Sequence, residues 1–395
     1  MGWRCLAVAL ALAGLAAADG SAPRIAVVAT PGGGVQPQVA VGRDGVVHLV
    51  YLRGDPKAAD VFYTRWDPQT RRFATPTRVN RRPGAAVAMG TIRGAQISLG
   101  KDDRVHIVWN GSSRAQPRGT LNPAQPADSP YNGAPLLYTR NRPGGGFEPA
   151  RNLMGRTFGL DGGGSVAADG RGNVYVAWHA QSSGAPKGEA GRRVWLARSS
   201  DGGKTFSTAA AVNPRGTGAC GCCSLRLFAD GKGRLYLLYR AARQGVNRDM
   251  MLLTSQDSGR TFRSARVQAW RINSCPMSSM SAWEAKGGVL TAWETQGQVY
   301  FGLVDGTTLQ PPRPLPAPGT GRNRKHPALA ADASGTTLLA WTEGTGWRRG
   351  GDLVYQLLRG DGRPAGEARR VRGGVSVWGM PAVAALRGGG FLVVR

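Results

Sequence analysis

Ser199 to Phe206 reads Ser-Ser-Asp-Gly-Gly-Lys-Thr-Phe, and Ser255 to Phe262 reads Ser-Gln-Asp-Ser-Gly-Arg-Thr-Phe. Both octets fit the pattern S-x-D-x-G-x-T-F. Its chemistry is that of a tight turn. The carboxylate of Asp201 or Asp257 accepts turn amide hydrogens, and Gly203 or Gly259 permits a positive φ. Ser199, Thr205, Ser255 and Thr261 add short hydroxyls, and Phe206 or Phe262 is left to plug a sheet edge. Each octet follows a short apolar run, Arg193 to Ser199 or Arg248 to Ser255, so the two turns close the same kind of strand.

Working outward, the strand before each turn is itself preceded by a hairpin pattern that recurs through the chain. It reads QVAVGRDGVVHLVY from Gln38, QISLGKDDRVHIVW from Gln96, SVAADGRGNVYVAW from Ser165 and SLRLFADGKGRLYLLY from Ser224. SAWEAKGGVLTAW from Ser281, ALAADASGTTLLAW from Ala328 and a weaker AVAALRGGGFLVV from Ala382 complete the series. A third strand follows most copies, and a polar edge strand such as Ala74 to Asn80 comes after it. Short apolar runs bounded by Gly, Asp and Asn are an all-β signature, and starts about 50–65 residues apart suit a four-stranded blade with its loops.

Two such turns at matching positions resemble the Asp boxes of the sialidase superfamily and of BNR-repeat propellers generally. The resemblance covers nearly the whole chain and implies an all-β, sialidase-like β-propeller with six or seven four-stranded blades as a single domain over residues 19–395. Seven hairpins can be counted, whereas the resemblance implies six blades. The seventh hairpin ends without a third strand, and Arg24 to Ala29 can return to it and close the ring. Family sialidases hold a substrate carboxylate with three arginines, attack with a Tyr–Glu pair and use an Asp as acid/base. On that analogy Arg240 resembles a triad arginine, Asp55 or Asp60 the acid/base, and Arg24-Ile25-Ala26 the opening R-I-P motif. No tyrosine stands in the last hairpin, and a full arginine triad does not assemble from aligned positions.

Residues 1–18 read as a secretory signal peptide: Met1 to Arg4 is basic, Cys5 to Ala17 is apolar, and Ala16 to Ala18 are small residues before a cut at Asp19. Cys5 lies too early to be a lipid-attachment cysteine, and no later segment is long and apolar enough to anchor the chain. A secreted or periplasmic location follows as an expectation, with a monomer as the default assembly. Lys and Arg number 51 against 24 Asp and Glu, a formal charge of +27. That excess suits an acidic glycan or another anionic envelope ligand, or reflects the codon usage of a GC-rich genome. The basic residues are scattered and no nucleic-acid motif accompanies them, so no nucleic-acid partner is expected.

The second strand of each blade should return to the functional face. One residue past its terminal aromatic stand Leu52, Asn110, His179, Arg240, Glu294, Thr342 and Arg395. Convergent polar groups at a propeller mouth form a candidate site. Arg240, His179, Asn110 and Arg248 are the candidate substrate-binding residues. Glu294 and Asp249 are the candidate acid and base for a glycoside hydrolase. The alternative is a non-catalytic glycan- or protein-binding module. A third reading centres on the cysteines of the loops before the fourth and fifth hairpins: Cys220-Gly221-Cys222-Cys223 and Cys275-Pro276-Met277. Disulfides, with Cys275 bridging to the C-x-C-C segment, are expected in an oxidising compartment. Otherwise Cys220, Cys222, Cys223 and Cys275 suit a soft metal, Cu or Zn, with Met277, His179 or His326 nearby. No other cofactor is expected. His48 and His106 read as packed core residues.

Overall fold

In the computed structural model, residues 23–90, 92–129 and 132–395 are described; the signal-peptide reading lies outside them. Seven sheets, six antiparallel and the seventh mixed, are arranged as blades, and their inner strands touch one another in sequence order, the seventh touching the first. Blades 2 to 6 have four strands each. Blade 3, for example, runs Ser165–Ala168, Val174–Ala180, Arg193–Ser199 and Ala210–Ala211. Blade 4 runs Arg226–Ala229, Leu235–Arg240, Met250–Ser255 and Arg263–Gln268. Blade 1 ends in two short edge pieces, Arg72–Phe73 and Thr77–Arg78. Blade 5 has a third strand, Gln298–Asp305, that the sequence pattern had not singled out. Among the described residues no helix is long and apolar enough to cross a membrane.

Blade 7 settles the count at seven. Its hairpin, Ala382–Ala385 and Phe391–Val394, is completed by Ile25–Val28 in parallel with the second strand. The parallel sense has a simple cause. Only Ala29 to Gly34 separate this strand from Val35–Val41, the inner strand of blade 1. These six residues turn the chain at one face, so the closing strand finishes at the face where blade 1 begins. Thr30 then ties the ends together, its amide and hydroxyl both donating to the Arg395 carbonyl at 2.7 and 2.8 Å.

Each blade is wedged to the next by side chains from the middle strands. Trp109, Trp178, Trp293 and Trp341, at the ends of second strands, are fully buried. Each indole N–H finds an acceptor: the Ala85 carbonyl, Thr157 Oγ1, Gln268 Oε1 and Glu343 Oε1 respectively. His48 and His106 are buried and bonded through Nδ1 to the hydroxyls of Tyr63 and Tyr138 at 2.7 and 2.8 Å.

The two Asp boxes have the same geometry. Asp201 Oδ1 accepts from the amides of Lys204 and Thr205 at 2.9 and 3.0 Å, and Thr205 Oγ1 donates to Oδ2 at 2.6 Å. Asp257 does the same with Arg260 and Thr261. Ser199 and Ser255 accept from Gly203 and Gly259 at 2.9 Å each. Slight burial raises the Asp201 and Asp257 carboxyls, but these hydrogen bonds outweigh it and hold both well below the usual carboxylate range. Such a group adds stability that is present above the unfolded pKa and lost as pH falls. Asp201→Ala should therefore cost about 1 kcal/mol near neutrality, and the gap to the parent should close below about pH 4. Urea midpoints measured at both pH values check this.

Candidate ligand-binding face

The column of strand-end residues does not open onto a funnel. Leu52, Asn110, His179, Arg240, Glu294 and Thr342 are all at most 4% exposed, covered by the loops between blades. At the axis the inner strands leave a cavity of about 340 Å³ and a smaller one of about 80 Å³. Both are lined partly by Arg226, which donates to Gln96 Oε1 at 3.1 Å and whose ordinary pKa is pulled down to about 10 by burial. Sequence reading passed over Arg226 because it alternates with leucines inside an ordinary strand.

The loop before blade 4 lies beneath the top face and is held from three sides. Gly162 of the blade 2–3 connection donates to the Gly221 carbonyl at 2.6 Å, and the Cys220 amide donates to the Arg240 carbonyl at 2.9 Å. The Ser224 amide donates to the Ser278 carbonyl at 3.1 Å. Glu189 accepts from the Gly221 amide through Oε1 and pairs with Arg248 through Oε2. His179 is buried, its Nε2 bonded to the Cys223 carbonyl at 2.8 Å, and its Nδ1 has no hydrogen-bond partner. The loop draws Cys220, Cys222 and Cys223 together, with Sγ separations of 3.5 Å from Cys220 to Cys222 and 3.2 Å from Cys220 to Cys223.

Among the described residues all four cysteines are free. The expected bridge from Cys275 to the C-x-C-C segment is not formed: Cys275 is exposed and stands outside the buried cluster, where Met277 instead packs against the three. Pro276 and Met277 follow Cys275 directly, and it is the thioether two residues on that turns inward. Burial pushes the Cys223 thiol up, but hydrogen bonds with Cys220 and Cys222, aided by Arg240 and Ser278, reverse this and hold it well below its ordinary value. Its hydrogen bonds with Cys220 and Cys223 push the Cys222 thiol up.

Beside this loop, on the same face, blades 2 and 3 enclose a cavity of about 460 Å³. Its walls include Arg93, Asn110, Asp161, Gln181 and Arg192, and Trp347 reaches in from the blade 6 loop. Arg93 pairs with Asp161 and also donates to the Met89 carbonyl at 2.6 Å. Arg192 donates to the Gly159 carbonyl, and its Nε has no partner. Asn110 spends its amide N–H groups on the carbonyls of Asp161 and Gly162, at 3.1 and 2.9 Å, and leaves Oδ1 buried without a donor. Trp347 is 45% exposed, with Trp378 edge-on at 6.2 Å. Of these, only Asn110 was a candidate from sequence. Trp347 carried a usable signal, since an aromatic inside the Gly-rich stretch from Gly344 to Gly351 has no strand core to fill.

No family model matches the chain, and no curated protein matches it in sequence. Solved structures do. A protein of unknown function from Dyadobacter fermentans superposes with a TM-score of 0.52 at 14% identity, over 79% of this chain and 90% of that one. Trypanosoma rangeli sialidase, in complex with the inhibitor DANA, gives 0.50 at 12% identity over 79% of this chain, which spans 53% of the sialidase. The chain has the sialidase-like propeller fold.

Within this sialidase-like propeller the remaining sequence candidates make contacts inside the fold. Arg240, 1% exposed, donates to Ser278 Oγ at 2.9 Å, to the Arg248 carbonyl at 2.6 Å and to the Glu294 carbonyl, and lies over the Trp270 ring. It clamps blades 4 and 5 and lines neither of the axial cavities nor the one between blades 2 and 3. Arg248 is buried against Glu189. Asp249 accepts from the Trp270 amide at 3.1 Å and braces the blade edge. Asp60 accepts from Asn80 Nδ2 and the Gly84 amide at 2.6 and 2.7 Å, and exposed Asp55 caps its own hairpin turn at the Lys57 amide. Glu294 is 2% exposed, its Oε2 unbonded and 3.9 Å from Lys325 Nζ. Burial pushes its carboxyl up to about 7 against the pull of Lys325 and Arg240. His326 is buried beside Ser279 Oγ at 3.1 Å, and burial pulls it down to about 3.

Proposed function

We propose that this chain is an exported, glycan-binding propeller that holds oligosaccharides bearing an anionic group in the cavity between blades 2 and 3. The observation that carries the reading is the coincidence, in one 460 Å³ pocket, of an exposed indole, two guanidinium groups and a buried amide oxygen without a donor. An indole face suits the apolar face of a sugar ring, a planar guanidinium suits a carboxylate or sulfate, and convergent polar groups fix orientation. Arg93 and Arg192 against the single carboxylate of Asp161 leave the lining with one net positive charge. The neighbour named as a sialidase supports a glycan ligand, at the level of fold alone.

The reading is binding rather than cleavage. Most glycosidases flank the scissile bond with two carboxyl groups, and sialidases use a Tyr nucleophile beside acidic residues; neither set is found among the described residues of this lining. Among the described residues Asp161 is the only carboxylate in the lining, and it is tied to Arg93. Glu294 and Asp249 lie outside that lining, buried under the loops.

Titration of the full chain with acidic and neutral oligosaccharides, followed by tryptophan fluorescence and calorimetry, tests this. Acidic oligosaccharides should bind with a fluorescence change, and Trp347→Ala should weaken them roughly tenfold or more, the equivalent of about 1.4 kcal/mol. Absence of binding, or a Trp347→Ala variant as tight as the parent, would overturn the assignment. Sugar released during the titration would replace binding by turnover.

A further inference from the structure

We propose that Cys220, Cys222 and Cys223 form a trigonal thiolate site for a monovalent soft cation, Cu(I). The geometry is that of a built site. The three Sγ atoms lie within 4.8 Å of one another, and their residues are 1%, 8% and 0% exposed. A loop that merely filled space would not need three sulfurs converging on one point. The backbone of the loop is fixed by carbonyl or amide contacts to the Gly162, Arg240 and Ser278 positions, so the thiols are gathered before any ion arrives.

The donor set selects the metal. Thiolates and thioethers favour Cu(I), Zn and iron–sulfur clusters over hard cations. Structural zinc closes a four-coordinate shell, whereas this cluster offers three sulfurs and, among the described residues, no further His, Asp or Glu atom within the group. Three donors suit the low coordination number of Cu(I). Met277 packs against the cluster and also lines a small cavity with Lys325, His326 and Trp347, which places a soft thioether between the surface and the thiols. On loading, each sulfur that is still protonated loses its proton to solvent as its S–H bond breaks, three Cu–S bonds form, and no electron is transferred. The bound unit then carries two negative charges, and the Arg192 guanidinium beside Gly221, with Arg240 reaching Cys223 through Ser278, supplies countercharge.

The test is anaerobic titration of the reduced full-length chain with Cu(I) against a chromophoric Cu(I) chelator, with X-ray absorption on the loaded protein. One Cu(I) per chain, in a shell of sulfur alone, is expected. Cys222→Ser should weaken it at least 100-fold while Cys275→Ser leaves it unchanged, with circular dichroism confirming that both fold. If Cys222→Ser does not fold, the three-sulfur shell of the parent still decides the matter. No stoichiometric Cu(I), a shell containing nitrogen or oxygen, or zinc bound in preference would overturn the site. Trp347→Ala leaves all three cysteines in place, so loss of glycan binding and loss of copper binding are separable.

Discussion

Gly203→Ala should destabilise the propeller by about 3 kcal/mol or more, while the same change at the matching position of the other Asp box, Gly259→Ala, should cost only about 1–2 kcal/mol. Both glycines sit in the left-handed region, at φ +78° and +73°, so both variants incur the backbone cost of an L side chain there. They differ in what the new methyl meets. At Gly203 a Cβ would stand 1.9 Å from the Tyr138 hydroxyl and 3.0 Å from its ring carbon. Tyr138 cannot simply swing away. It is fully buried, bonded to His106 Nδ1 at 2.8 Å and packed edge-to-face against Phe206 at 4.9 Å. The methyl must break the His106 hydrogen bond in a buried site or push the whole box off blade 2. At Gly259 the nearest atoms are the terminal methyls of Leu196 and Leu235, both 3.1 Å away, which can shift by a few tenths of an ångström. Urea midpoints of the two variants at neutral pH measure the difference. Equal losses would show that the boxes are interchangeable turns and that the docking of the first onto blade 2 contributes nothing.

That contrast marks the limit of what the sequence made legible. The S-x-D-x-G-x-T-F pattern identifies a turn because its chemistry is local: an acceptor, a hydroxyl and a residue free to take positive φ, all within eight positions. Hairpins were readable for the same reason, and they led to the blades and to the strand that closes the ring. What a turn rests on is not local. Nothing in Ser199 to Phe206 announces Tyr138, more than 60 residues earlier. The site suffers more from this than the fold does. Strand-end polarity at Asn110, His179, Arg240 and Glu294 was legible, but the loops that bury it come from neighbouring blades, and their course has no periodic signature. Arg93 and Arg192 were invisible among 51 basic residues, since only the third dimension distinguishes a guanidinium that lines a cavity from one that faces water. The cysteines fell between these cases. Their spacing brought three of them together, as local chemistry should, and left Cys275 outside because backbone direction around Pro276 and Met277 decided which side chain turned inward.

Glu294→Gln should make the metal-free protein more stable above about pH 7, by up to about 3 kcal/mol, and leave it unchanged below about pH 4.5. The parent carboxyl titrates near 4.5 when unfolded and is pushed up to about 7 in the fold, chiefly because it is removed from water. A group raised in this way contributes its stability below the unfolded pKa and loses it as pH rises through the folded one. Ionisation then leaves a carboxylate whose Oε2 has no hydrogen bond and whose nearest cation, Lys325, is 3.9 Å away and already donating to the Pro276 carbonyl at 2.7 Å. The amide removes the charge and keeps the shape. The parent's own pH curve will not display this slope, because buried His106 and His326, both lowered to about 3, act in the opposite sense. Each adds stability present above about 6.5 and lost as pH falls. Those histidines are common to both proteins, so the difference between the two denaturation curves isolates Glu294. A difference that opens between about pH 4.5 and 7 and then stays level is the expected result. A variant less stable than the parent above about pH 4.5, with the gap closing at lower pH, would mean that the ionised carboxylate is held by Lys325 and Arg240 after all, and that its burial stabilises the junction between blades 5 and 6.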